Sequence, residues 1–333
     1  MKLGLAYKNF AAYQGISHIG LGVSAQKTAE YLNKRGYDAV VIPAKHNVDV
    51  VDAIRKYDFT HMVIMAPWLS GLDVDSMVRH FKKVKFAIIS HSNIGFLQAD
   101  PGALKLFRQY DLIAEEVDNL IVGGNSVTFS EWFASAYQTD TILLPNLYEV
   151  DHVEGHPWSG TSLRIGAFGA IRPQKNVVTA AASAMLLARY FRIPIEFNVS
   201  TGREDGGGSV VLNAVRQMMF NVPGVELVER HWSDRRDFRR IIHEMDILFQ
   251  VSYTESFNMV TADGIEEGVP SVTSDAITWV PEHWKAQSDN VFNIAAKAKR
   301  LLENRDKEII HGRAALNRHN DWAFKFWQEF LGE

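Results

Sequence analysis

Three observations predict an α/β protein built from two tandem, doubly wound domains. Short apolar runs alternate with amphipathic segments of helical spacing through most of the chain. The alternation pauses once, near the middle, and then resumes. The length of 333 residues exceeds what one hydrophobic core usually organises and fits two domains.

The elements follow in order. "KLGLAY" (Lys2 to Tyr7) reads as a strand, followed by a glycine-bearing loop through Gly22 and a helix with Ala25, Ala29 and Leu32 on one face. "AVVIPA", "HMVIMA" and "FAIIS" are continuous apolar runs, as strands buried on both faces of a parallel sheet require. "VDVVDAIRKY" and "VDSMVRHFKK" supply helices between them; "NLIVGG" and "TILLPN" add two strands around a helix containing Trp132. Tyr148 to Thr161 lacks periodicity and carries Gly, Pro and charge. This divides the chain into a first domain at 1–150, a linker at 151–161 and a second domain at 162–318. The second domain holds "LRIGAFG", "IEFNVS", "VELVE", "DILFQVS" and "PSVTS" as strands. A last helix at 319–333, with Trp322, Phe326 and Phe330 at i, i+4, i+8, reads as core packing, on its own domain or on the first. Ligands of such sheets sit beyond the carboxyl ends of the strands, so two domains imply a cleft between them.

Composition excludes several classes. Charged residues make up 22% and the net charge is −4, which gives no global attraction to nucleic acid or anionic membrane. The basic clusters "HFKKVK" and "DRRDFRR" read as solvated helix faces. Cysteine is absent, so there is no disulfide or thiolate chemistry. No apolar run reaches the ~18 residues of a membrane span, and the N-terminal apolar run breaks too early for a signal peptide. The expectation is a soluble, cytoplasmic protein.

The stretch "TESFNMVTADGIEEGVPSV" (Thr254 to Val272) carries the most chemistry. Glu255 falls at the carboxyl end of "DILFQVS", just before a helix expected to start at Ser256 or Phe257. Backbone N–H groups at Ser256, Phe257, Asn258 and Met259, with the helix dipole, favour an anion such as phosphate. Asp263 lies two turns further on. An ionised carboxylate accepts two hydrogen bonds and suits paired hydroxyls, so one acid would hold a hexose and the other a ribose, with a diphosphate between. Taken singly, Glu255 also reads as a complement to the helix dipole and Asp263 as a solvated helix position. A second anion site lies in "GAFGAIRPQKNVVTAA", where Gly169, Arg172 and Lys175 occupy a strand–loop–helix turn.

"ESFNMVTADGIEEGVPSVTSD" resembles the acid-x7-acid segment of retaining, GT-B fold glycosyltransferases of family 4 (glycosyl transferases group 1). "GAFGAIRPQKN" is similar to that family's phosphate loop, with Lys175 on its lysine. The departures are Asp263 for a glutamate, Asn258 for a glycine, and Ala170 where the family has an arginine that Arg172 would replace. The resemblance covers Leu163 to Pro281 and implies two Rossmann-like domains. It implies transfer of a hexose from a UDP- or GDP-linked nucleotide-sugar to an acceptor hydroxyl, with retention of configuration and without a metal or cofactor. In it Glu255 orients the sugar, and the donor phosphate takes the acceptor's proton. "SHSNIGF" resembles the family's His segment, which assigns His91 to the transferred sugar. "YQGISHIGLG" resembles its N-terminal glycine loop, with Gly15 and His18 as contacts, and "NVSTGRED" places Thr201 on the nucleotide side. The acceptor stays open among a saccharide, a lipid-linked sugar and a modified DNA base. A nucleotide-sugar-binding sensor without catalysis is the rival reading. "HVEGH" pairs two histidines, but Gly155 and Pro157 spoil a helical zinc site, and no metal is expected.

Overall fold

The computed structural model describes residues 1–9, 19–150 and 155–332. The chain forms two compact units, Met1–Glu149 with His319–Glu333, and Val150–Arg318.

Unit one holds β1 (Lys2–Lys8), α1 (Ile19–Asn33), β2 (Asp38–Ala44), α2 (Asn47–Tyr57), β3 (His61–Met65) and α3 (Gly71–His80). It continues with β4 (Lys85–Ser90), α4 (Ile94–Leu97), α5 (Pro101–Ala114), β5 (Leu120–Gly124), α6 (Val127–Tyr137) and β6 (Ile142–Leu143). The strands are parallel, in the order β2-β1-β3-β4-β5-β6. Alternate residues feed two cores: Met62 and Ile64 pack on one face of the sheet, Val63 and Met65 on the other. Burial on both faces is what the unbroken apolar runs encode. Helix starts are written locally. Ser70, Asp100 and Ser126 each cap a helix by accepting a backbone N–H, and Pro101 occupies a first-turn position where no donor is needed. "TILLPN" pairs only over Ile142–Leu143, because Pro145 has no N–H to extend a ladder.

Unit two holds β7 (Leu163–Ala167), a 3-10 turn (Pro173–Lys175), α7 (Val177–Phe191), β8 (Ile195–Thr201), α8 (Gly208–Met219), β9 (Val225–His231) and α9 (Arg235–His243). It continues with β10 (Ile247–Gln250), α10 (Met259–Glu266), β11 (Ser271–Thr273), a second 3-10 turn (Glu282–Trp284) and α11 (Val291–Glu303). Its parallel sheet runs β11-β10-β7-β8-β9. Chain order therefore moves outward from β7 through β9 and then reverses to β10 on the other side of β7. The segment leading into β7 packs on this unit: Trp158 meets Phe191 edge-on at 5.3 Å between ring centroids and donates to Ser162 O at 2.7 Å.

The final helix, α12 (Arg305–Leu331), gives its first half to unit two and its last turns to unit one. The expected aromatic stripe is corrected here. Trp322 is exposed and Phe326 only partly covered; the buried face is Ala323, Trp327, Phe330 and Leu331. A step of four residues overshoots a 3.6-residue turn by about 40°, so an i, i+4, i+8 row rotates around the helix, and only its last member, Phe330, reaches the core face. Polar groups fix the docking: Trp327 Nε1 donates to Pro145 O at 2.8 Å, and Asn320 bonds both the N–H and C=O of Tyr148. No helix among the described residues is long and apolar enough to cross a membrane.

His319 donates from Nε2 to Asn146 O at 2.9 Å, and burial pushes its pKa down to about 4. The unfolded chain titrates near 6.5, so between these values it binds more protons than the folded unit, and stability falls as pH falls. Moving from pH 7 to pH 5 is expected to take about 2 kcal/mol from unit one through this group. Urea unfolding of His319→Gln at both pH values should show a correspondingly weaker pH dependence.

Candidate functional site

β7 and β10 pair directly, Ile165 against Ile247 and Gly166 against Leu248, at the point where strand order reverses. Their carboxyl ends therefore open side by side, which is where open α/β sheets leave room for ligands. The exit of β7 turns at Gly169, whose φ of +116° is glycine territory and whose N–H donates to Ser200 Oγ at 3.3 Å. The exits are stitched together by hydrogen bonds to backbone carbonyls: Tyr253 N donates to Gln174 O at 2.9 Å, and the Asn176 side-chain Nδ2 to Val251 O at 3.0 Å.

Lys175 and Glu255 meet across this seam, Nζ to Oε1 at 2.5 Å. The same carboxylate oxygen accepts from Ser252 Oγ at 2.8 Å and Asn258 Nδ2 at 3.0 Å. Arg172 donates to Asp205 Oδ2 at 2.9 Å, and Arg203 lies 3.3 Å from the same oxygen. Burial lowers the Arg172 pKa, while the Asp205 and Glu255 charges oppose that shift. Three cations thus converge with two carboxylates beyond β7, β8 and β10, a set suited to a multiply charged anion. Ser252, Arg203 and Asp205 escaped the sequence reading. Their signal was position: Ser252 ends a strand run, and Arg203 and Asp205 flank a turn after another.

Asn258, the departure from the family's glycine, has φ +69°. It sits in the left-handed region, which asparagine tolerates better than most residues. Its side chain accepts Thr261 N at 2.8 Å, capping α10, and donates to Gln250 Oε1 at 3.0 Å. The helix therefore starts at Met259, later than the expected Ser256 or Phe257. Ser256 and Met259 are partly exposed. Phe257 is buried, stacked on Trp279 at 5.1 Å, and its carbonyl accepts Trp279 Nε1 at 2.6 Å.

Asp263 stands apart from this group. It is 2% exposed and accepts from Arg235 Nη2 at 2.9 Å. Arg235 also approaches Glu266, and Arg239 bridges Glu266 and Glu267, so a basic face of α9 locks onto acids of α10 and its C-terminal cap. The solvated-face reading of "DRRDFRR" is corrected accordingly: Arg235 and Arg239 are ion-paired within the unit. Thr201 is buried, its hydroxyl turned to Arg230 O at 3.4 Å. Trp232 lies near the guanidinium of Arg203, 5.4 Å from ring centroid to Cζ.

In unit one, His91 follows β4 and contacts Asn125 Nδ2 through Nδ1 at 3.3 Å. Burial pushes its pKa down to about 4, so the imidazole is neutral near pH 7. An amide donor on Nδ1 places the ring proton on Nε2. Gly15 and His18 lie outside the described residues.

Neither a family model nor a curated protein sequence matches the chain. Solved structures do. An E. coli trehalose-6-phosphate protein bound with UDP-2-fluoro glucose aligns at a TM-score of 0.66 and 11% identity, over 100% of this chain and 99% of that one. Sucrose-phosphate synthase from Thermosynechococcus elongatus aligns at 0.65 and 15% identity, over 99% and 98%. S. aureus TarM, solved with UDP and alpha-GlcNAc-glycerol, aligns at 0.58 and 12% identity; 86% of this chain spans 59% of TarM. At such identities the likeness establishes the fold: two Rossmann-like units in the GT-B arrangement of chain order.

The left-handed Asn258 yields a stability test. Asn258→Gly keeps the backbone conformation at ease, whereas Asn258→Ala loses the same side-chain bonds and adds left-handed strain. The alanine variant should be less stable than the glycine variant by about 1–2 kcal/mol, measured by urea unfolding of unit two.

Proposed function

We propose that this protein is a glycosyltransferase that moves a hexose from a nucleotide-sugar to an acceptor hydroxyl with retention of configuration. The observation that carries the reading is the Lys175–Glu255 pair, assembled at the strand reversal with Arg172 beside it. A UDP-linked donor is favoured, since a UDP-sugar analogue and UDP occupy two structures of this fold. A saccharide acceptor is favoured over a DNA base, because Arg235 is already neutralised by Asp263 and Glu266, and sucrose-phosphate synthase shares the fold.

In this mechanism the bond between the anomeric carbon and the donor phosphate oxygen breaks, and the diphosphate leaves with the electron pair. Lys175, Arg172 and the N–H groups at the start of α10 hold that developing charge. The acceptor oxygen bonds to the anomeric carbon on the face the phosphate leaves, and its proton passes to the departing phosphate. Glu255, held by Ser252 and Asn258, orients the hexose hydroxyls rather than attacking carbon. The family resemblance assigns His91, a neutral imidazole of unit one, to the transferred sugar. The residues thus supply electrostatics without a metal ion at the donor site.

Incubation with a panel of UDP- and GDP-sugars should release free nucleoside diphosphate; binding without any release would instead make the chain a nucleotide-sugar sensor. Glu255→Gln should lower release or transfer by at least ~10²-fold, the scale of one positioned transition-state contact. Full activity in that variant would sink the assignment. Lys175→Ala should weaken nucleoside diphosphate more than nucleoside in titration calorimetry, because only the former presents charge to an ammonium. Equal losses for both ligands would move the phosphate site elsewhere.

A further inference from the structure

Unit two carries a second chemical cluster, made by different elements from those that carry Lys175 and Glu255. His283 lies in the 3-10 turn Glu282–Trp284, which follows β11. Glu308 and His311 stand one turn apart on α12. His283 Nε2 is 2.5 Å from Glu308 Oε2, and His311 Nδ1 is 3.5 Å from the same oxygen. One ligand atom from each residue lies within 4.8 Å of the others.

We propose that His283, Glu308 and His311 form a binding site for one divalent transition-metal ion, of which Zn2+ is the best-suited class. Two imidazoles and one carboxylate are a donor set that zinc and its neighbours accept, with a fourth position left to water. Bonds of about 2.0–2.2 Å in a tetrahedron put neighbouring ligand atoms roughly 3.3–3.6 Å apart. The His311–Glu308 separation already meets that spacing, and the His283–Glu308 contact needs only to open by about an ångström.

Two further features mark a built site rather than a chance meeting of surface groups. Glu308 is buried, and Trp284 Nε1 donates to its Oε2 at 2.8 Å, the outer hydrogen bond that orients a ligating carboxylate. Trp284 is itself fixed, being fully buried against Gly312, where an added Cβ would come within 2.6 Å of its ring. Access is retained from the other side, since the His311 side chain is 52% exposed and His283 is partly exposed. Bound metal would join the segment after β11 to α12, adding to the Glu308 bonds to His283 and Trp284 and to the packing of Trp284 on Gly312. The proposal is independent of the donor-site reading, because no residue is shared.

The test uses the full chain, stripped of metal by a chelator and then titrated with Co2+, whose visible d–d absorption reports a bound ion of low coordination number. One saturable equivalent is expected, displaced by Zn2+. His311→Ala, at an exposed position, should weaken binding by about 100-fold or more, since loss of an outer partner alone costs 10–100-fold. Trp284→Phe, which removes the N–H together with part of the indole while keeping an aromatic ring in place, should weaken it by about 10–100-fold. His243→Ala, at a separate histidine–carboxylate contact with Glu267, should bind normally. Absence of a saturable equivalent would overturn the site and leave a Glu–His ion pair in its place. Unchanged affinity in His311→Ala would overturn it equally.

Discussion

The candidate donor site depends on the reversal of strand order between β7 and β10. Parallel strands deliver their exits to one edge of a sheet, and crossovers on either side of a reversal lie on opposite faces. No connection then crosses the gap above the pair. Residues eighty apart in the chain, Lys175 and Glu255, are brought into an ion pair by the β7–β10 register and by the hydrogen bonds that tie the two strand exits together. A substitution that disturbed the β7–β10 pairing would therefore disturb the site without touching it.

A short, partly buried ion pair loses hydration on both sides, and its attraction offsets that loss only when the remaining lone pairs are also satisfied. Glu255 meets the condition through Ser252 and Asn258. Asn258 in turn is held by Gln250 and by the capped start of α10, while Asn176 and Gln174 bind the β7 exit to the β10 exit. The charges are thus fixed by groups whose own geometry is set by backbone. Such a site stabilises developing charge with little reorganisation, which is the property glycosyl transfer would draw on.

Much of this was legible in the sequence because strands buried on both faces must be continuously apolar. Those runs located the sheet strands, and the residues just beyond two of them, Lys175 and Glu255, became the site pair. What was not legible was non-local. The partner of Asp263 lies on α9, 28 residues away, and no local spacing announces it. Asn258 departs from the family pattern's glycine, but its backbone takes the left-handed conformation that glycine adopts freely, and its side chain caps a helix. The terminal aromatic row has regular spacing but not constant direction: α12 rotates it step by step, from exposed Trp322 through Phe326 to Phe330 in the unit-one core.

The two acids of "ESFNMVTAD" show why spacing alone does not assign roles. Glu255 precedes the helix and Asp263 lies within it, with the left-handed Asn258 between them, so no single helical period relates their directions. One carboxylate ends among donors from β7 and β10 exits; the other ends beneath Arg235 with only 2% of its surface exposed. Burial makes the Asp263–Arg235 pair costly to break, because either partner left alone would be an uncompensated charge. A ribose contact from Asp263 therefore requires Arg235 to stay bonded while a lone pair on the carboxylate faces the nucleotide. Under the donor-site reading, the nucleotide side falls chiefly to the loops after β8 and β9, where Arg203 already lies near Trp232. The different surroundings of the two carboxylates, one among donors at the β7 and β10 exits and the other beneath Arg235, thus follow a left-handed turn at Asn258 that separates them along the chain.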